Sequence, residues 1–171
     1  MKNHKSIKVT ELNDRLFIDL YVDRAPIGVM IFMGIFALIG CLIPIVTIIF
    51  SNNQNLDIGP GFIISLIIGF GVSFYLTRII LWNTVGVEKY VISKKSVKQT
   101  CDYKWFRDSE RMLKGNDILS KYVVCNSKPD ESGRLTFETT NENIQSVIDL
   151  PIENLKDLLR IIEIKLDTSS K

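Results

Sequence analysis

"TRIILWNTVGVEKYVI", residues 77–92, begins as apolar helix and ends as alternating strand. The fold turns on where the helix stops within it and on what lies to either side. Upstream lie two apolar runs. "IGVMIFMGIFALIGCLIPIVTIIF", residues 27–50, has 24 residues and no charge. At about 1.5 Å per residue, a helix of that length covers roughly 36 Å, more than the ~30 Å hydrocarbon core of a bilayer. "GFIISLIIGFGVSFYLT", residues 61–77, is uncharged up to Arg78. It crosses when the helix continues through "RIILW" to residue 82, with Arg78 snorkelling toward headgroups and Trp82 in the interfacial belt. The alternative is a pair of buried helices in a soluble protein, but such helices keep a polar stripe and these have none. A cleaved signal has an apolar core of about 7–15 residues behind a short basic segment. Here a strand-like segment precedes a far longer run, which reads as an anchor.

Lys2, Lys5, Lys8, Arg15 and Arg24 precede the first run, and Lys89, Lys94, Lys95 and Lys98 follow the second. The connector "SNNQNLDIGP", residues 51–60, has no Lys or Arg. The positive-inside rule places both termini in the cytoplasm of a bacterial inner membrane, as a multi-pass protein with the connector outside. Pro44 should kink the first helix, a defect membranes tolerate when neighbours re-satisfy the freed carbonyl. Gly34, Gly40, Gly69 and Gly71 permit close helix contact or a homo-oligomer face, although glycine is enriched in membrane helices generally.

The remaining sequence reads as β structure. In "RLFIDLYV", Leu16, Ile18, Leu20 and Val22 alternate with Arg15, Phe17, Asp19 and Tyr21. Asn13-Asp14 supplies the turn that folds "IKVTEL" back as a hairpin. In "VGVEKYVIS", Val85, Val87, Lys89 and Val91 oppose Glu88, Tyr90 and Ile92. Further strands are expected at 96–102, 120–125, 134–140 and 143–149, with turns at 126–133 and 140–143. "PIENLKDLLRIIEIKL", residues 151–166, carries Ile152, Leu155, Leu158, Leu159, Ile162 and Leu166 at helical period, with Pro151 in its first turn. That stripe must pack on the β structure or lie on the membrane; Glu153, Asp157 and Glu163 on the polar face disfavour anionic lipid. A lone hairpin is marginal in water. The expectation is therefore an α+β membrane protein in which residues 1–25 and 83–171 form one antiparallel β domain around a transmembrane hairpin at 26–82.

The layout resembles a group of small bacterial membrane proteins with two transmembrane helices and a pleckstrin-homology-like cytoplasmic β domain. The residues carrying the resemblance are Leu81, Trp82, Gly86, Glu88 and Tyr90, then "YKWFRD" at 103–108 and "SVIDLPIENLKDLL" at 146–159. It implies the fold and transfers no activity, because the group is largely uncharacterised.

Signatures of chemistry are sparse. His4 is the sole histidine, so a triad or a Cys-His site would depend on a residue near the terminus. No zinc spacing or phosphate-binding glycine loop is legible, and no cofactor is expected. Cys41 sits in an apolar run; only Cys101 and Cys125 could bridge, and free thiols in a reducing compartment are the expected state.

Charge is divided. Residues 83–115 hold eight Lys/Arg against four Asp/Glu, and residues 116–158 hold four against eight. The basic half is expected to touch lipid headgroups or a partner through Lys94, Lys95, Lys98, Lys104, Arg107, Arg111 and Lys114, unless it is simply a solvated surface. "YKWFRD" reads as aromatic strand core, with Tyr103 and Trp105 on one face, Phe106 on the other and one ring left exposed to dock a peptide or lipid. The patch is too small for nucleic acid. At the helix-to-strand junction, Gly86 is expected to take a left-handed backbone. Glu88 is expected either to pair with Arg24 or Arg78 or to face solvent. The leading function is a non-catalytic accessory, regulatory or scaffold protein binding a protein partner or lipid. The alternatives are an immunity-type protein against a membrane-acting toxin and, last, a membrane-bound enzyme.

Overall fold

The computed structural model describes residues 7–12, 14–53, 59–115, 117–126 and 132–167, without the side chains of 51–53, 126 and 165–167. His4, Asn13, most of the helix connector and most of the turn at 126–133 lie outside the described residues. The protein is α+β and forms two compact units: Asp23–Thr84, and Met1–Val22 with Val85–Lys171.

The helical unit is built from α1 (Ile27–Asn53) and α2 (Pro60–Val85). Both are long and apolar enough to cross a membrane, with 18-residue stretches inside Ile27–Phe50 and Pro60–Val85 whose mean hydropathies are 2.8 and 2.0. Large apolar side chains such as Phe32, Ile67 and Phe74 point outward. The helices approach where side chains vanish. The Gly40 carbonyl, whose usual donor four residues on is Pro44 with no N–H, faces Gly69; a Cβ there would lie 2.8 Å from it. The Ser73 hydroxyl lies 2.8 Å from the Ala37 and Gly69 carbonyls and donates across the pair or within α2. Gly40 and Gly69 thus serve a contact within the hairpin, whereas Gly34 and Gly71 face open space.

The β unit is discontinuous in sequence. Its first sheet is a five-stranded antiparallel meander of β1 (Ile7–Leu12), β2 (Arg15–Tyr21), β3 (Val87–Ser93), β4 (Ser96–Asp102) and β5 (Arg107–Lys114). Strands β2 and β3, separated by the whole helical unit in sequence, pair from Leu16↔Ile92 to Tyr21↔Val87. Asp14, at φ 62, turns β1 into β2, a conformation that Asp tolerates better than most residues. The second sheet comprises β6 (Leu119–Asn126), β7 (Ser132–Glu138) and β8 (Asn143–Gln145), with β9 (Leu150–Pro151) also on β7. Helix α3 (Ile152–Asp167) packs on β6, β7 and β9 through Leu155, Leu158 and Ile162.

One face of the first sheet is buried: Leu16, Ile18 and Leu20 from β2, Glu88, Tyr90 and Ile92 from β3, and Val97 and Gln99 from β4. Against it lie Leu135 and Phe137 of β7 and Ile144 of β8; the rings of Tyr90 and Phe137 are 5.5 Å apart.

Three expectations are corrected, and one strand was not foreseen. The strand expected at 143–149 breaks after Gln145. There the Ser146 hydroxyl accepts from Leu135 N–H at 3.0 Å and donates to the Ile148 carbonyl at 2.9 Å, curling the chain. "YKWFRD" is mostly turn: Tyr103–Phe106 join β4 to β5, because Tyr103 N–H donates to the Phe106 carbonyl and closes the hairpin. Strand β5 had no hydrophobic alternation to announce it; of its residues only Leu113 is buried. Pro151 ends β9 opposite Ser132 instead of opening the helix.

Gly133 is where β7 passes closest to its neighbours: a Cβ there would sit 2.9 Å from the Val123 carbonyl and 3.1 Å from Leu155 Cδ1. Backbone cannot yield cheaply, so Gly133→Ala should cost about 1–3 kcal/mol by overpacking. Thermal melts of the detergent-solubilised protein would read this as a lowered midpoint, and an unchanged midpoint would contradict the packing described.

Candidate functional site

Three features are candidates: a buried polar cluster, the outer face of the first sheet, and the turn between β4 and β5.

The cluster centres on Glu88, which is fully buried. Alternation places it beside Tyr90 and Ile92 on the inner face of β3. Its carboxylate accepts from the Tyr90 hydroxyl at 2.8 Å, from Gln99 Nε2, and from the backbone N–H of Val147 at 3.1 Å and of Ile148 at 3.3 Å. Gln99 also donates to the Gln145 carbonyl at 3.1 Å. Burial first, and the adjacent Glu88 next, push the Tyr90 hydroxyl well above the usual phenol range, so it remains a donor. The expected pairing of Glu88 with Arg24 or Arg78, and the solvent-facing alternative, are both overturned. Gly86 is likewise corrected: among the described residues no glycine has a positive φ, and Gly86 passes from α2 to β3 while its carbonyl accepts from Val22 N–H. With donors from the first sheet and from the β8–β9 connection saturating it, the cluster is sealed from solvent and joins the β unit together.

The outer face is different in kind. Phe17 of β2 stands opposite Val91 of β3, and Val91 opposite Lys98 of β4. They belong to an open groove of about 400 Å³ that also includes Arg15, Asp19, Lys89, Arg107 and Glu110. Lys98 pairs with Glu110 at 2.7 Å, and Asp102 takes Lys89 at 2.7 Å and Arg107 at 3.5 Å. The hydrogen bond from Lys89, outweighing burial, holds the Asp102 carboxyl below the usual carboxylate range. The exposed Lys98–Glu110 pair is worth about 0–1 kcal/mol and exchanges easily for another acid.

The residues singled out from sequence do not form one patch. Lys94 and Lys95 occupy the β3–β4 turn. Lys104, Trp105 and Phe106 occupy the β4–β5 turn at the opposite end of the sheet, with Arg107 just beyond. Six strand steps, roughly 20 Å, separate the two turns. Lys98 and Arg111 lie between, and Lys114 returns to the Lys94 end opposite Ser96. Tyr103 stacks on Phe106 with centroids 4.5 Å apart, leaving Trp105 as the exposed ring. Arg78 and Trp82, one turn apart, are half-buried on α2. Cys41, Cys101 and Cys125 are all free thiols, and among the described residues no group of His, Cys, Asp and Glu is placed to hold a metal. Sequence reasoning missed Phe17 and Arg15 as site residues; their signal was an aromatic and a cation on the polar side of an alternating strand.

Compared with known proteins, the chain matches no family model, no curated protein and no solved structure.

Two expectations follow from this geometry. Glu88→Gln turns an amide donor toward groups that are themselves donors and should cost about 3 kcal/mol, whereas Tyr90→Phe removes one bond and should cost about 1 kcal/mol. Thermal melts that rank the two the other way would show that the cluster does not hold the sheets together. For Asp102, the lowered folded-state value means that its contribution is complete above the unfolded value of about 4 and fades as pH falls through the folded one. Asp102→Asn should therefore lower the melting temperature at neutral pH, with the gap to wild type narrowing as pH falls below the unfolded value of about 4; a gap constant with pH would contradict the assignment.

Proposed function

We propose that the protein is a membrane-anchored, non-catalytic binding module. On this reading α1 and α2 cross a bacterial inner membrane with both termini cytoplasmic. The β unit, arranged in a pleckstrin-homology-like way, holds an acidic segment of a protein partner against the outer face of its first sheet. The observation that carries the reading is the open groove with Phe17 and Val91 among its lining and four cations, Arg15, Lys89, Lys98 and Arg107, against two acids, Asp19 and Glu110. An apolar floor with a cationic rim suits an extended acidic peptide, with the apolar contact supplying affinity and the charges supplying steering and selectivity. The buried Glu88–Tyr90–Gln99 cluster supports a binding role over catalysis, since its polar atoms are engaged with one another and withdrawn from solvent. Two helices with 18-residue stretches of mean hydropathy 2.8 and 2.0 support the membrane anchor, and the Lys/Arg asymmetry supports its orientation.

The test is a photo-crosslinking residue at Phe17 in native membranes. It should yield a discrete protein adduct that weakens with salt and disappears in the Arg15→Glu/Lys98→Glu double variant. The adduct should persist in Lys121→Glu, a charge reversal on β6. No adduct, or one indifferent to the double charge reversal, would sink the reading.

A further inference from the structure

The turn between β4 and β5 spends conformational energy to display a tryptophan. Tyr103 and Phe106, on either side of its tip in sequence, stack on each other nearly parallel at 11°, and the Tyr103 N–H bond to the Phe106 carbonyl at 3.0 Å locks its neck. At its tip, Lys104 sits at φ 71, a region disfavoured for a residue with a Cβ, steadied by its N–H bond to Asp102 Oδ1 at 2.8 Å. Trp105 beside it is 78% exposed. A strained, braced turn carrying the largest apolar side chain into solvent is evidence of a use outside the β unit.

Strand register says what that use is. The turn closes the end of the sheet where Asp102 pairs with Val87 and Val87 with Tyr21. At that end the chain leaves β2 for α1 and returns from α2 to β3, with one residue, Gly86, between α2 and β3. Tryptophan favours the membrane–water interface, where its ring lies among headgroups and acyl chains, and cations gain from anionic lipid within a Debye length. We propose that the β4–β5 tip is a lipid-interface anchor: Trp105 enters the headgroup region of the bilayer holding α1 and α2, and Lys104 and Arg107 contact anionic headgroups. Lys94 and Lys95, at the far end of the sheet, take no part. The proposal rests on the membrane-spanning part of the reading above and not on the groove.

The experiment uses the full chain in lipid nanodiscs, which leave both membrane sides accessible. The Trp105 signal is taken as the wild-type emission minus that of Trp105→Phe, a change at an exposed position; the Trp105→Phe emission reports Trp82. Lipid brominated near the headgroup should quench both, and aqueous iodide should reach Trp105 poorly. The Lys104→Glu/Arg107→Glu variant should lose Trp105 quenching in discs containing phosphatidylglycerol. If lipid bromine quenches Trp82 while only iodide quenches Trp105, the anchor is overturned and the membrane reading stands. If lipid bromine quenches neither, both fall. Trp105 quenching unchanged by the double charge reversal would overturn the role of Lys104 and Arg107.

Discussion

One buried carboxylate sets the conditions for the rest of the β unit. Taking Glu88 out of water costs several kcal/mol unless donors replace the lost solvation, and four groups do so. Two belong to the first sheet, Tyr90 and Gln99. The other two are backbone N–H groups of Val147 and Ile148, which are free to point at Glu88 because β8 stops at Gln145 and Ser146 curls the chain. The requirement therefore reaches beyond β3: the strand break, the seat of Ile148 in the core and the approach of the two sheets all serve the same acceptor. Apolar contact between Tyr90 and Phe137 would hold the sheets together in several registers, whereas a carboxylate with directional donors favours one.

Legibility tracked burial on alternate faces. Strands β2, β3 and β4 have a period of two with a filled inner face, and the sequence pattern located each of them within a residue or two. The apolar stripe of α3 was visible for the same reason, as Leu155, Leu158 and Ile162 all turn inward. Strand β5 was not visible. As the last strand of the meander it contributes one core residue, and its ladder to β4 slips near Ser109, at φ 53. Nothing in "RDSERMLK" betrays that arrangement, since backbone pairing leaves no trace in side-chain pattern. "YKWFRD" misled in the opposite sense: three rings in four residues imitate a strand, and a turn with a lysine in left-handed conformation carries no glycine to announce it. Glu88 was half legible. Alternation already set it on the face of Tyr90 and Ile92, yet the habit of placing acids in water and pairing them with arginine pointed away from donors that included two main-chain amides.

The discontinuity of the β unit has a mechanical logic. Strands β2 and β3 are hydrogen-bonded neighbours, so their backbones lie about 5 Å apart, whereas packed helices need axes some 8–10 Å apart. The chain must widen between the two spacings. It does so on one side only: Val22 to Pro26 give five residues between β2 and α1, while α2 meets β3 through Gly86 alone. The last rung, Val22 N–H to the Gly86 carbonyl at 3.4 Å, is long, as expected where the ladder begins to open. At Gly86 a single residue makes the change from helical to extended backbone, whereas five residues make it between β2 and α1. Two residues past Gly86 comes Glu88, bonded to the first sheet and to the connection between β8 and β9. The one-residue link and the buried carboxylate are thus neighbours on one strand: the group on which the core of the β unit converges lies two positions beyond the point where the chain re-enters that unit.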